Sequence, residues 1–350
     1  MRVVNLGTIS KALLGCGIVM LPVSGYSQDA KQAELVGAKP VEAPAPTYPI
    51  NQRIAQNSGM VDLRFMVDEN GSVYETIIIE SSNEAFEEEA LIAIRNYDYV
   101  AATYAGEPVR SATTAQIFFN SKGAEEKVHP DFAKLHGDAT RELARKSPNA
   151  KNVARKIRKL ERFNKISPYT YTYINLLKFR YAKTFGDVDG QISSAKLVLQ
   201  FEELSGSKGP YVKPEIRISI KRELFGLYVN SRRYGEALNV YQELIALDSG
   251  AEARFGAIVT QLYAAKRAKN PVSVMMTIEP RGHGSLTLFK QAFSISEVNG
   301  KLLALNLRCD RNFASLAFDL TSEYKIPEKW GQCYLQVIGE PATTFKLTEF

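Results

Sequence analysis

The stretch Met60–Glu80, MVDLRFMVDENGSVYETIIIE, decides how the N-terminal third of the chain folds. Val61, Leu63, Phe65 and Val67 alternate with Asp62 and Arg64, the two-residue period of a strand buried on one face. Asp68-Glu69-Asn70-Gly71 supplies the Asn-Gly signal of a hairpin turn, and Val73–Glu80 follows as a second, β-branched strand. Downstream, Ala85–Tyr97 sets Phe86, Ala90, Leu91 and Ile94 at helical spacing. Glu87, Glu88 and Glu89 stand in its first turn, where the helix dipole favours acids. Upstream, Ile50–Asn57 reads as a short helix stopped at Ser58-Gly59. Val109–Asn120, VRSATTAQIFFN, reads as a third strand after a turn at Gly106. Residues 47–122 are therefore expected to form a compact α+β unit.

The whole chain has 350 residues, more than one hydrophobic core usually organises, so two or three domains are expected. Hydrophobic residues at 45% and charged residues at 23% exclude a mostly disordered or fibrous chain. Ala124–Asn270 shows helical spacing almost throughout. Within it, LFGLYVNSRRYGEALNVYQELIALD resembles a tetratricopeptide helix hairpin in the placing of Leu224, Tyr228, Tyr234, Ala237 and Tyr241. A related plan surrounds Ala195, but its offset from Ala237 exceeds the ~34-residue period, so degenerate repeats are expected over 123–270. From 271 to 350 the period returns to two, in VSVMMTI, SLTLF, LLALNL, CYLQVI and TTFKL, which predicts a small antiparallel β-sandwich. The expected fold class is multi-domain α+β: a small ββαβ unit, a TPR-like helical unit and a C-terminal β-sandwich.

The first residues carry Arg2 and Lys11 and no acid, followed by the apolar run Ala12–Val23 and small residues up to Ser27. This is the grammar of a secretory signal over 1–27, with cleavage between Ser27 and Gln28. The apolar run is too short to span a membrane, since twelve helical residues rise only ~18 Å against a ~30 Å core. Leu13-Leu14-Gly15-Cys16 is a loose lipobox, the alternative to a soluble exported product. Cleavage lowers the net charge from +6 to +4 and leaves Cys309 and Cys333 as a pair that an oxidising compartment would join. Residues 28–46, rich in Ala, Pro and polar groups, read as a tether. The charge is segregated: Lys134–Lys165 concentrates eleven Lys/Arg against three acids, whereas Glu75–Glu89 is acidic. In an exported protein this argues against nucleic acid and leaves an acidic protein partner or anionic lipid for the basic segment.

Tyr48-Pro49, Gly59 before VDLRFMVDENGSV, Ser81-Ser82, the helix FEEEALIAIRNY and GEPV before the last strand together resemble the TonB C-terminal domain family. The resemblance covers about 75 of the 350 residues. It implies a small sheet with a preceding helix that grips a peptide of an outer-membrane receptor by adding it as a strand. On this chain the implied edge is the third strand, with Ala112, Thr114, Gln116 and Phe118 or their alternates alongside the peptide, flanked by Tyr48 and Pro49. The chain departs from the family's energy transducers. No histidine precedes His129, the long Pro-Lys/Pro-Glu spacer is missing, and about 230 residues follow the domain.

Residues for catalysis are not assembled. His129, His136 and His283 share no metal-ligand spacing. Phe185–Gly190 copies the middle of a calcium loop but has Phe185 and Lys196 where ligands are required. Neither a GxSxG elbow nor a Walker loop is present, and the two cysteines are not CxxC. No enzyme activity, metal or cofactor is expected. The expectation is a periplasmic Gram-negative protein that binds a TonB-dependent receptor or another envelope protein in TonB-type transmembrane transport. The alternatives are an envelope scaffold working through its helical repeats and a membrane-anchored energy transducer with an uncleaved signal.

Overall fold

The computed structural model describes residues 35–120, 128–200 and 212–350. The expected signal at 1–27, its cleavage site Ser27/Gln28 and the first part of the tether lie outside the described residues. The N-terminal part begins with two short strands, β1 (Leu35–Val36) and β2 (Lys39–Glu42), and a one-turn helix α1 (Ile50–Ile54). There follow β3 (Gly59–Val67), β4 (Val73–Ser81), α2 (Glu87–Arg95), β5 (Asp98–Val100), β6 (Ala102–Tyr104), β7 (Glu107–Val109) and β8 (Ser111–Phe119). β4, β3 and β8 form an antiparallel sheet with β3 in the centre, and β8 pairs along its whole length from Ser111↔Val67 to Phe119↔Gly59.

The β3–β4 turn forms where the Asn-Gly signal lies. The Asp68 carboxylate accepts from the amides of Asn70 and Ser72 at 2.9 and 2.8 Å. Gly71 has φ +88°, and a Cβ there would meet the Tyr99 carbonyl at 1.9 Å, so glycine is required twice over. The odd residues of β3, Val61, Leu63, Phe65 and Val67, are fully buried against Phe86, Ala90 and Ile94 of the α2 side.

Two expectations for this region are corrected. The stretch taken as a tether is docked from Leu35 onward: β1 pairs with β6 and β2 with β5. Backbone pairing needs little from side chains, which is why an Ala/Pro-rich sequence concealed it. The third strand is also shorter than 109–120. Val109 ends β7, which pairs with β6, and β8 starts only at Ser111.

The central part is helical: α3 (Pro130–Leu143), α4 (Ala150–Leu160), α5 (Pro168–Phe185), α6 (Val188–Leu199), α7 (Pro214–Asn230), α8 (Tyr234–Leu247) and α9 (Ala251–Arg267). With α1 and α2 this makes nine α-helices among the described residues. α5 packs on α6 and α7 on α8. Ala195 and Ala237, both fully buried, lie in the core these pairs share. α4 turns Val153, Ile157 and Leu160 inward against α3 and α5 and leaves Lys151, Arg155, Arg158 and Lys159 in solvent.

The C-terminal part holds β9 (Val272–Thr277), β10 (His283–Thr287), β11 (Ala292–Asn299), β12 (Leu302–Cys309), β13 (Asn312–Leu316), β14 (Tyr324–Lys325), β15 (Cys333–Gly339) and β16 (Thr344–Glu349). They form two four-stranded antiparallel sheets, β10-β15-β12-β13 and β14-β11-β16-β9, around one apolar core. Cys309 and Cys333 are register partners on β12 and β15 and form a disulfide. This unit meets the helices closely: a Cβ on Gly235 of α8 would lie 2.1 Å from the Thr287 carbonyl of β10. The whole is a mixed α+β architecture. No helix among the described residues is long and apolar enough to cross a membrane.

Candidate functional site

β8 is an edge strand of its sheet, and among the described residues no strand pairs with its outer side. An unpaired edge presents N–H and C=O groups that an extended peptide can satisfy. The odd residues Ala115, Ile117 and Phe119 anchor β8 in the α2 core, with the Phe119 ring stacked on Phe86 at 4.5 Å. Tyr48 sits edge-on to both rings, at 5.6 Å from Phe86 and 5.9 Å from Phe119, and its hydroxyl donates to the Asn57 carbonyl. Pro49 caps α1, its carbonyl accepting from Gln52 and Arg53 at 3.0 Å each. Tyr48 and Pro49 therefore fix the end of the sheet where β8 terminates.

The other four candidate residues lie on the opposite face of β8, which is turned towards the rest of the chain. Gln116 donates its side-chain amide to the Gln200 carbonyl at the end of α6, at 2.6 Å. Phe118 packs with Met60 of β3, Tyr171 of α5 and Leu197 of α6. Ala112 and Thr114 are half-buried, register partners of Met66 and Arg64, and β12 and β13 lie against this strand. The sheet is thus covered on both faces. The expected half-buried strand is corrected: Met60 and Met66 on the second face of β3 are as inaccessible as Phe65 on the first.

The residues that make this second contact escaped the sequence reading. Arg64 of β3 stacks over the Tyr334 ring of β15, 3.6 Å from its centroid. Gln200 donates to the Asp62 carboxylate at 3.1 Å, and burial pushes that carboxyl up to about 6. Arg308 of β12, whose side chain is 1% exposed, donates to Gln336 at 2.7 Å and to the Glu75 carbonyl of β4 at 3.2 Å. Its neighbour Phe313 meets Tyr74 of β4 edge-on at 6.1 Å. Arg281, in the β9–β10 turn, reaches Glu87 at 2.9 Å and Glu80 at 3.7 Å. Burial raises the Glu80 carboxyl, opposed by the Arg281 charge. Glu87, expected only to cap α2, also accepts from the Ser81 hydroxyl. A lone arginine inside LLALNLRC was the one available signal of this contact, because a buried cation needs a distant partner.

Helices contribute at the near end of the sheet. The Ile166 carbonyl accepts from the Ser58 amide at 2.9 Å, and the Asn83 side chain donates to the Lys165 carbonyl at 3.0 Å. Among the described residues, no group of three or more His, Cys, Asp or Glu side chains could hold a metal ion.

The family described as Gram-negative bacterial TonB protein C-terminal matches residues 44–121. A solved structure, the solution NMR structure of the Pseudomonas aeruginosa TonB CTD, is 20% identical over 26% of this chain and 90% of its own, with a TM-score of 0.22. No curated protein matches the chain.

Proposed function

We propose that the chain, whose residues 44–121 match the TonB C-terminal family, serves TonB-associated transport by pairing the outer edge of β8 with an extended peptide. The peptide belongs to an outer-membrane receptor or another protein of the Gram-negative envelope, and the role is non-catalytic. The observation that carries this reading is the outer side of β8, which no strand among the described residues pairs, left over when both faces of its sheet are covered. Main-chain bonds along Ala112, Thr114, Gln116 and Phe118 or their alternates supply the affinity, and Tyr48 and Pro49 hold the end of the strand in place. The remaining units, a TPR-like helical part over 123–270 and a β-sandwich over 271–350, buttress that edge and offer further protein-binding surface. Export by the 1–27 segment to the periplasm, with cleavage at Ser27/Gln28, completes the proposal.

Two measurements test it. A receptor-derived peptide should slow hydrogen exchange at alternate amides of Ser111–Phe119, the signature of one added strand. Capture of receptors from outer-membrane extracts should fall with Gln116→Pro, which removes a backbone donor, and persist with Gln116→Ala, which removes only the bond to Gln200. Unaltered exchange along β8, or equal capture by both variants, would count against edge pairing. A scaffold reading is favoured by one observation, the closeness of β12 and β13 to β8. It predicts envelope partners that survive Gln116→Pro.

A further inference from the structure

Away from the sheet edge, α3, α5 and the start of α7 border a solvent-open cavity of about 400 Å³. That lies at the small end of the range of ligand sites, which run from roughly 300 to 1,000 Å³. Its wall is mostly apolar, with Leu176 of α5 and Ile216 of α7 prominent. Apart from the Tyr173 phenol, the ionisable side chains around it are basic: His136 and Arg141 from α3, Arg180 from α5 and Lys213 before α7. Arg141 is already paired with Asp138. Arg180 and Lys213 have no carboxylate partner among the described residues. The Thr140 hydroxyl in the same wall is buried without a hydrogen-bond partner.

A second cavity of about 310 Å³ adjoins the first and shares Leu176, Arg180 and Ile216 with it. The second cavity adds Glu215 and the ion pair of Lys183 with Glu223 at 2.8 Å, so Arg180 stands where an apolar, basic cavity meets one of mixed charge. Two cations that form no ion pair among the described residues, beside an apolar floor, suit a single negative charge carried on an apolar body. A more highly charged anion would call for more hydrogen-bond donors than this wall offers, and a neutral apolar molecule would leave the cations unused.

We infer that the α3–α5–α7 cavity binds a small amphiphile, an apolar chain ending in a carboxylate. The carboxylate meets Arg180 and Lys213, and the chain lies on Leu176 and Ile216. This goes beyond the β8 edge and does not depend on it.

Calorimetric titration of the full chain with octanoate, 1-octanol and acetate tests the assignment. Octanoate should bind measurably, and octanol and acetate each at least about tenfold more weakly, since one lacks the charge and the other the chain. Arg180→Glu and Lys213→Glu should each weaken octanoate by about tenfold or more, with circular dichroism and thermal midpoint unchanged because both side chains border solvent. Lys151→Glu, the same charge change on the exposed face of α4, should leave binding as it was. The inference is overturned if octanol binds as tightly as octanoate, if neither reversal at the cavity matters, if Lys151→Glu weakens binding equally, or if octanoate fails to bind at millimolar concentration.

Discussion

On the α2 side of the β4-β3-β8 sheet, Val61, Leu63, Phe65 and Val67 meet Phe86, Ala90 and Ile94, and every contact is apolar. On the opposite side, Met60 and Met66 flank Asp62 and Arg64, and the partners are Gln200, Tyr334, Arg308 and Arg281. Both sides are covered, by different chemistry, and the second less completely, since Asp62 and Arg64 are only half-buried. The first is a core within one unit, held by burial of area alone. The second joins parts of the chain far apart in sequence, and its buried polar groups cost free energy unless each finds its partner. The first face should therefore set whether the sheet folds, and the second should set how firmly the three parts hold together.

The largest expected effect tests the first face. Phe65→Ala removes a ring that is fully buried between β3 and α2 and stands 5.5 Å from Tyr99. It should lower the unfolding free energy by about 3–5 kcal/mol, the range for large-to-small changes in a packed core. Denaturant titration reads it. A loss under about 1 kcal/mol would mean that the α2 side is not the core of the unit.

The next effect comes from the second face and depends on pH. Asp62 titrates at about 6 in the folded chain, above its ordinary 3.8, because burial disfavours the charge. A carboxyl that holds its proton more tightly when folded loses stability as pH rises. The contribution is present below about pH 4 and is gone once pH has risen through about 6. Its size is about 3 kcal/mol. The difference in stability between wild type and Asp62→Asn should therefore change over that interval and be flat above it, and carbon NMR should place the Asp62 midpoint near 6. A midpoint below 4 would show that the second face is wet.

Arg64 and Tyr334 give a smaller effect. A guanidinium 3.6 Å above a ring is worth roughly 0.5–2 kcal/mol. A double-mutant cycle with Arg64→Ala and Tyr334→Leu should return a coupling of about 1 kcal/mol. Zero coupling would reduce the contact between β3 and β15 to shape alone.

These two faces were not equally legible. Alternation from Val61 to Val67 and the Asn-Gly turn located β3, β4 and their hairpin, since both signals act between near neighbours. The cysteine pairing was readable because the expected loss of Cys16 with the signal would leave only Cys309 and Cys333 to be joined. Asp62 and Arg64 looked solvated because in most strands such residues are. Nothing local reports that Gln200 and Tyr334 return to cover them. The three-residue strands β5, β6 and β7, and the docking of β1 and β2, are backbone pairings with almost no side-chain period to read. For the candidate site, the third strand was visible in VRSATTAQIFFN, and its place at the edge was implied by the family resemblance. The internal use of Gln116 and Phe118 was not, because it depends on where α5 and α6 come to rest.

The smallest effect separates the basic helices from the acidic sheet unit. The segregated charge of Lys134–Lys165 and Glu75–Glu89 suggests that attraction between them orders the two units. Yet the one ion pair formed between these segments is Lys165 with Glu84 at 3.4 Å, and the two side chains are 62% and 72% exposed. At that exposure water and salt screen the charges, and fixing two long side chains costs entropy that offsets the attraction. What joins the units here is instead uncharged: the Ser58 amide on the Ile166 carbonyl and the Asn83 side chain on the Lys165 carbonyl. Lys165→Ala should therefore change stability by no more than about 0.5 kcal/mol. Asn83→Ala, which leaves the Lys165 carbonyl without its donor, should cost more, about 1–2 kcal/mol. If Lys165→Ala proves the costlier of the two, and the cost vanishes in high salt, long-range charge rather than buried hydrogen bonding holds the helices to the sheet.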